Sequence, residues 1–173
     1  MDRQTTIFTN PRAYERVIIF TSIAILALIL PTIIHSQLIT GSFVNMSLIL
    51  VTFLIGPLEA VFLGLMPSVI ALSSGLLPLP LAPAIPFIMI SNTILVGIYY
   101  YLGRKNLIAS IFIASFIKFL FLYGVTGSII NTLLADKMAG IASTITGYLQ
   151  FLTAVIGGIL AYFVLSFMKD RKA

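Results

Sequence analysis

Several residue types that support chemistry in proteins are scarce or absent from this chain of 173 residues. Cysteine is absent, which excludes disulfides, iron–sulfur clusters, thiolate zinc sites and cysteine nucleophiles. The only histidine, His35, leaves no histidine-based metal cluster. Charged residues make up 9% of the chain, against about a quarter in soluble domains, and 60% of the residues are hydrophobic. Together with a mean hydropathy of +1.13, this composition excludes a soluble enzyme, a nucleic-acid-binding domain and a disordered tail. It indicates an integral membrane protein.

The apolar residues fall into six segments, separated by polar or proline-rich connections. A helix that crosses a bilayer needs about 20 apolar residues. The six segments span about 17–34, 43–55, 58–74, 84–102, 107–125 and 144–168. The sequence therefore predicts an all-α membrane protein with six transmembrane helices in one domain, residues 17–168. We expect a cytoplasmic segment at 1–16, a basic tail at 169–173 and no attached soluble module. The first apolar run is longer than the core of a signal peptide, so we expect it to be retained as a helix.

Basic residues collect at the two ends of the chain and in one short loop. With six spans these eight positions share one side, while Lys137 lies on the other side and Lys118 lies within the fifth span. Cytoplasmic loops carry an excess of lysine and arginine, so both termini are predicted to be cytoplasmic. The eight residues are Arg3, Arg12, Arg16, Arg104, Lys105, Lys169, Arg171 and Lys172.

Five polar residues on five different spans fall near the midplane or in the outer half of the membrane. Polar groups inside a membrane are costly and usually functional. Lys118 lies about 16 Å along the axis from the start of its span. An outward-facing pocket explains why all these residues occupy the same half, and we predict that they bind a substrate. They are His35, Asn45, Asn92, Lys118 and Gln150.

Each of these residues also has a structural interpretation. Lys118 would suit an ion pair with Asp136 in the outer loop, and a buried lysine also occurs as the neutral amine. Asn92 and Gln150 would suit hydrogen bonds between neighbouring helices. His35 and Asn45 would suit the ends of spans at the membrane interface.

Small residues at a spacing of four line one face of the third span and one face of the sixth. They are Ala60, Gly64 and Ser68, and then Thr153, Gly157 and Ala161. Such faces let membrane helices approach closely. Two interpretations remain, packing within this chain or contact with a partner subunit. The candidates for a partner interface are Ala24, Ala27, Ala60 and Gly64.

Motifs of catalysis and of autonomous pumping are missing from the sequence. It contains no HExxH, no GxSxG and no phosphate-binding glycine loop. Five acidic residues supply little general acid–base chemistry, and neither an acidic relay nor a pair of inverted halves is visible. We expect a protein that is not an enzyme, has no cofactor, and binds a small solute while other subunits supply the energy.

Four blocks of sequence carry a resemblance to a known family. They are LITGSFVN at 38–45, LIGP at 54–57, GLMPSVIA at 64–71 and PAIPFIMISN at 83–92. With these blocks the chain resembles the substrate-binding S components of energy-coupling factor (ECF) vitamin and micronutrient transporters. The likeness covers most of the chain, in size, number of spans and basic tail. It implies a six-helix bundle in the plasma membrane of a prokaryote, with one small solute bound near the outer face.

The resemblance also implies partners and gates. A transmembrane T component and two cytoplasmic ATPases would dock on the chain, and ATP hydrolysis would make it topple and release the solute inside. The gates would be residues 35–42 and 75–83, and the pocket would include Asn92, Lys118 and Gln150. The family pattern has two alanines four residues apart for docking, whereas this chain has Leu28 four residues after Ala24. Lys118 with amide neighbours would suit a carboxylate or phosphate on the solute.

Two other classes of protein are compatible with the composition. The first is a structural or assembly subunit of a larger membrane complex, in which the polar groups connect helices and no ligand binds. The second is an intramembrane enzyme, for which the sequence offers no catalytic set.

Overall fold

Helices form every regular element in the residues that the structure, a computed structural model, describes, namely 11–103, 105–125 and 147–170. A 3-10 helix, Leu79–Ala84, directly precedes the helix Ile85–Leu102. The helices are α1 (Pro11–Ile33), α2 (Gln37–Leu54), α3 (Pro57–Leu65), α4 (Pro67–Ser73), α5 (Ile85–Leu102), α6 (Leu107–Val125) and α7 (Tyr148–Asp170).

Five helical segments within the described ranges are long and apolar enough to cross a membrane. They are α1, α2, α5 with the preceding 3-10 helix, α6 and α7. The prediction of an all-helical protein with several helices of membrane-spanning length is confirmed. The remaining predicted span, 58–74, corresponds to a shorter apolar stretch, Pro57–Ser73, which consists of two helices.

Proline explains why that third span is interrupted. Proline has no backbone N–H, and its ring clashes with the carbonyl of the residue four positions earlier, so it favours the first turn of a helix. The helix α1 nevertheless contains Pro31 near its end. Pro57 and Pro67 occupy first turns, and the helix breaks at Met66. The Met66 N–H donates to the Leu63 carbonyl, three residues earlier, at 3.4 Å. The sequence predicted a span here without this break, because an unbroken apolar run outweighed one proline.

The helix α2 begins at Gln37, six residues before the predicted start of the second span. Residues 37–42 were assigned to a gate loop, and the structure corrects this, since they form the first turns of α2. Thr40 and Ser42 each donate their hydroxyl to a carbonyl four residues earlier, at 2.9 and 2.6 Å. Their polarity is therefore satisfied inside the helix. Similarly, α1 begins at Pro11, so the change of composition at residue 16 does not mark a helix end.

The helix α2 lies at the centre of the bundle, where it packs against α1, α3, α5 and α7. Its approach to α7 depends on glycine. A Cβ atom on Gly157 would lie 2.5 Å from the Ser42 carbonyl oxygen, and one on Gly41 would lie 2.9 Å from Thr153 Cγ2. The small-residue face of the sixth predicted span is thus used for packing within the chain.

The residues predicted for a partner interface lie in the interior of this chain or beside it. Ala27 and Ala60 are fully buried in the main apolar core, and Ala24 packs against that core. A Cβ atom on Gly64 would lie 3.2 Å from Asn92 Cβ. Ala27, Ala60 and Gly64 therefore face other helices of the same chain, which favours the interpretation of packing within the chain over contact with a partner subunit.

The two ends of the bundle differ in character. At one end, Arg16 Nη2 donates to the Ile55 carbonyl at 2.7 Å and lies 4.0 Å from Glu59 Oε1, and Lys105 is exposed. The opposite end contains the α1–α2 connection, residues 74–84 and the start of α7. The cavity described below lies toward this second end.

Candidate solute-binding site

A cavity of about 80 Å³ lies between the helices near the end of the bundle that carries residues 74–84. Its walls come from the end of α1, the start of α2, the α4 region, α5, α6 and the start of α7. One part of the lining is polar and includes Thr40, Asn45, Ser68, Asn92, Lys118 and Gln150. The other part is apolar and includes Pro31, Val44, Ala71, Leu76, Leu77 and Ile88.

Lys118 reaches the polar wall from α6. It is the twelfth residue of the helix and lies on the buried face that Ala114, Ser115 and Leu122 share, as the three- and four-residue spacing requires. The side chain is 1% exposed. Its Nζ atom donates hydrogen bonds to Asn45 Oδ1 and to Asn92 Oδ1, both at 2.8 Å. The amino group of Lys118 thus joins α6 to α2 and to α5.

Both asparagine amides are fixed by a second set of hydrogen bonds. Asn92 Nδ2 donates to the Gly64 carbonyl at 2.9 Å. Asn45 Nδ2 donates to the Gly41 carbonyl at 2.8 Å and to Thr153 Oγ1 at 3.3 Å. Because a carbonyl only accepts and an amide nitrogen only donates, these contacts orient both amide oxygens toward Lys118. The network therefore connects α2, α3, α5, α6 and α7.

The break at Pro67 explains why Gly64 is available to Asn92. The last four carbonyls of a helix lack partners within the helix. Gly64 lies in the last turn of α3, so its carbonyl needs an outside donor. The glycine also lets α5 come close enough for the Asn92 amide to reach that carbonyl. The break before Pro67 thus leaves the Gly64 carbonyl available to hold Asn92.

The structure places four of the five predicted site residues around the cavity and one outside it. Asn45, Asn92, Lys118 and Gln150 all line the cavity, in which Lys118 is bonded to both asparagines. His35 does not line it and is exposed in the α1–α2 connection. The structure therefore assembles four of these residues around one space and leaves the histidine outside.

These contacts bear on two structural interpretations, namely hydrogen bonds between helices for Asn92 and an ion pair for Lys118. The amides of Asn45 and Asn92 connect helices, as the helix–helix interpretation expected for Asn92, and they line a cavity at the same time. The alternative ion partner of Lys118, Asp136, lies outside the described residues. Within the described ranges, no carboxylate lies within ion-pair distance of Lys118.

Several cavity residues were not predicted from the sequence. Ser68 belongs to the small-residue face of the third span, and Thr40 lies in the block of sequence at 38–45. The sequence therefore pointed to helix packing for Ser68 and to the family resemblance for Thr40, not to a binding site. Thr153 is not part of the cavity lining. It lies one turn after Gln150, accepts a hydrogen bond from Asn45 and donates to the Gln150 carbonyl at 3.1 Å. Leu76 and Leu77 lie in the gate at 75–83 that the resemblance implies, but as apolar residues in an apolar chain they do not stand out individually.

Residues 75–84 cover one side of the cavity. Leu77, Leu81 and Ala84 are buried against Ile88 and Leu122 in a second apolar cluster. The segment leaves α4 through Gly75, whose φ of 77° is a left-handed conformation that favours glycine. The preceding residue, Ser74, donates its hydroxyl to the Pro31 carbonyl at 3.1 Å, which ties the segment to the end of α1.

Comparisons of this chain with protein-family models, with curated protein sequences and with solved structures found no match. The evidence for a function is therefore the sequence pattern and the geometry of the cavity. In the described part of the chain, no group of three histidine, cysteine, aspartate or glutamate residues is placed to hold a metal ion. The chemistry that the cavity offers is hydrogen bonding from one buried lysine and neighbouring amides and hydroxyls.

Proposed function

We propose that this chain is the substrate-binding S component of an ECF-type importer in the plasma membrane of a prokaryote. It captures a vitamin-like or micronutrient solute from the outer face. The observation that carries the proposal is the buried Lys118 at the wall of a cavity, held by two amides from different helices. A lysine in a membrane interior indicates a functional site with a specific partner.

The orientation of the cavity in the membrane follows from the distribution of charge. Arg16 and Lys105 lie at the end of the bundle opposite to the cavity. Cytoplasmic ends carry the excess of basic residues, so the cavity faces outward in our proposal. This orientation suits capture from outside, with six spans and both termini in the cytoplasm.

The cavity is small for a ligand site and is covered on one side by residues 75–84. Its volume of about 80 Å³ lies below the range of roughly 300–1,000 Å³ that drug-sized ligands occupy. Residues 75–84 touch the rest of the bundle chiefly through apolar contacts. We infer that the solute enters when this segment moves, in keeping with the gate that the resemblance implies.

Import also needs an energy source, which we assign to partners. A T component and two cytoplasmic ATPases would supply it, as the resemblance to S components implies. No carboxylate relay crosses the described part of the bundle, where Glu15 and Glu59 lie near the end opposite to the cavity.

A thermal-stability screen of the purified protein tests the proposal. A ligand that binds only the folded state stabilises it and raises the melting temperature. At a ligand concentration of 100 times Kd, the free energy of unfolding increases by about 2.7 kcal/mol. We expect one solute among vitamins, their precursors and small organic ions to give a saturable rise. A folded protein that responds to none of a broad panel would contradict the proposal.

One specific observation favours a second candidate, a structural subunit of a larger membrane complex. The network of Lys118, Asn45 and Asn92 already joins helices without a ligand. In a structural subunit, substitutions in this network would lower the melting temperature and no solute would raise it. The same screen therefore separates the two candidates.

A further inference from the structure

We propose that the solute carries one carboxylate, which accepts a hydrogen bond from Lys118 Nζ, and a small apolar body that lies against Leu76, Leu77 and Ile88. This inference names the substrate class of the site and rests on the proposed function. It follows from the donors, the charge and the two kinds of wall in the cavity.

The first step concerns the donors of Lys118. We take Lys118 to be an ammonium group when the solute is bound. This form has three N–H donors, whereas the neutral amine has two. Two of them are used on Asn45 Oδ1 and Asn92 Oδ1, and the third has no acceptor within the described ranges. Because Lys118 is itself part of the cavity lining, a solute in the cavity is placed to supply that acceptor.

The second step concerns charge. The two partners of Lys118 are neutral amides, and no other charged side chain is part of the described lining of the cavity. A buried ammonium without a counter-charge is costly, whereas a paired one is compensated. With Lys118 as the ammonium group, a neutral solute would leave one positive charge in the cavity, and a phosphate dianion would leave one negative charge. A single carboxylate makes the filled cavity neutral.

The third step concerns the rest of the solute. Leu76 and Leu77 from the covering segment and Ile88 from α5 form an apolar part of the lining, while Lys118 and the two asparagines form a polar part. Binding sites for small molecules commonly combine a mostly apolar lining with a few polar groups that fix orientation. The arrangement suits an amphipathic solute of a few carbons, with its carboxylate toward α6.

Pairs of acids and their primary amides test this inference, because each pair shares one apolar body. Suitable probes are butyrate and butyramide, benzoate and benzamide, and nicotinate and nicotinamide. We expect the acid of the best-fitting pair to bind at least about tenfold more tightly than its amide, because losing one partner of a buried charge pair is costly. Equal binding of acid and amide, or tighter binding of a phosphate monoester, would overturn the inference.

Variants locate the carboxylate at Lys118. Asn92→Asp places an anion beside Nζ at nearly unchanged volume, and we expect it to weaken binding of the acid by about tenfold or more. Asn45→Asp is a second test of the same kind, in case Asn92→Asp fails to fold. Lys105→Met removes an exposed lysine far from the cavity and should leave the acid affinity unchanged. Unchanged acid affinity in a folded aspartate variant would overturn the inference.

The two proposals fail in different ways. If a neutral or cationic solute binds and the acids do not, the carboxylate is refuted and the binding function stands. If no solute of any charge binds the folded protein, the proposed function itself is refuted, and the carboxylate with it.

Discussion

Lys118 is held in the membrane interior by two amide oxygens, and those amides are in turn held by backbone carbonyls and a threonine hydroxyl. Each hydrogen bond in this network has one possible direction, so the side chains cannot exchange roles. At the scale of single residues, the site is therefore pre-organised before any solute arrives.

Replacing Asn92 by leucine tests the network. The change leaves the Gly64 carbonyl and one Lys118 N–H without partners in a buried place, which costs about 1–3 kcal/mol. We expect a lower free energy of unfolding in detergent, measured by denaturant titration. Thr93→Ala is the control, since Thr93 is exposed and bonds only to the Met89 carbonyl of its own helix. Equal stability of the Asn92→Leu and Thr93→Ala variants would contradict the network.

At this scale the sequence was most informative about side chains deep in the apolar spans. A lysine or asparagine far from either end of a span has to find a polar partner inside the protein, so Lys118 and Asn92 were predictable as neighbours of a shared site. His35 lies where a span ends, and there an exposed position satisfies a polar ring equally well. Sequence alone does not separate these two environments.

Glycine sets the distance between α2 and α7. Gly157→Ala would bring a Cβ atom to 2.5 Å from the Ser42 carbonyl oxygen and 2.8 Å from Asn45 Cβ. Neither the backbone of α2 nor Asn45 can yield without disturbing the network. At the scale of elements, then, the packing of two helices and the geometry of the site are coupled.

We expect Gly157→Ala to lower the free energy of unfolding by about 1–3 kcal/mol, as overpacking of a core does. Gly97→Ala is the matched control, because a Cβ atom there meets nothing within 4 Å and alanine favours a helix over glycine. Thermal unfolding of both variants measures the difference. A Gly157→Ala protein as stable as Gly97→Ala would show that α2 and α7 are less close than described.

Elements were predictable to the extent that apolar length defines them. The bounds of the fifth span, 107–125, coincide with α6, and those of the fourth span differ from α5 by one residue. The starts of α1 and α2 were missed. In α2 the helix includes a polar turn whose hydroxyls bond to their own backbone. Where hydropathy changes is therefore a poor guide to where a helix begins.

One end of the molecule is basic and the other contains the cavity. Because the chain has no cysteine, single introduced cysteines can report on which side of the membrane each end lies. We propose that His35 lies outside the cell and Lys105 inside. In intact cells, a membrane-impermeant maleimide should label His35→Cys, whereas Lys105→Cys should react only after permeabilisation. The opposite pattern would reverse the orientation and contradict capture from outside.

The architecture of the whole molecule was only partly predictable. Helical class and membrane-spanning length follow from composition, since few other structures satisfy the backbone in lipid. Which helix faces touch depends on how their shapes match, and sequence alone does not show this. From the sequence, Ala27 and Ala60 could equally contact a partner, whereas the structure buries both within the chain. The cavity arises from such matching together with the break at Pro67.

The most direct measurement is a calorimetric titration of the purified protein with the solute that stabilises it. We expect one binding site per chain in the wild-type protein and in Lys105→Met, and no measurable binding in Lys118→Met, with all three proteins folded. Full binding by folded Lys118→Met would contradict the assignment of the solute to this cavity.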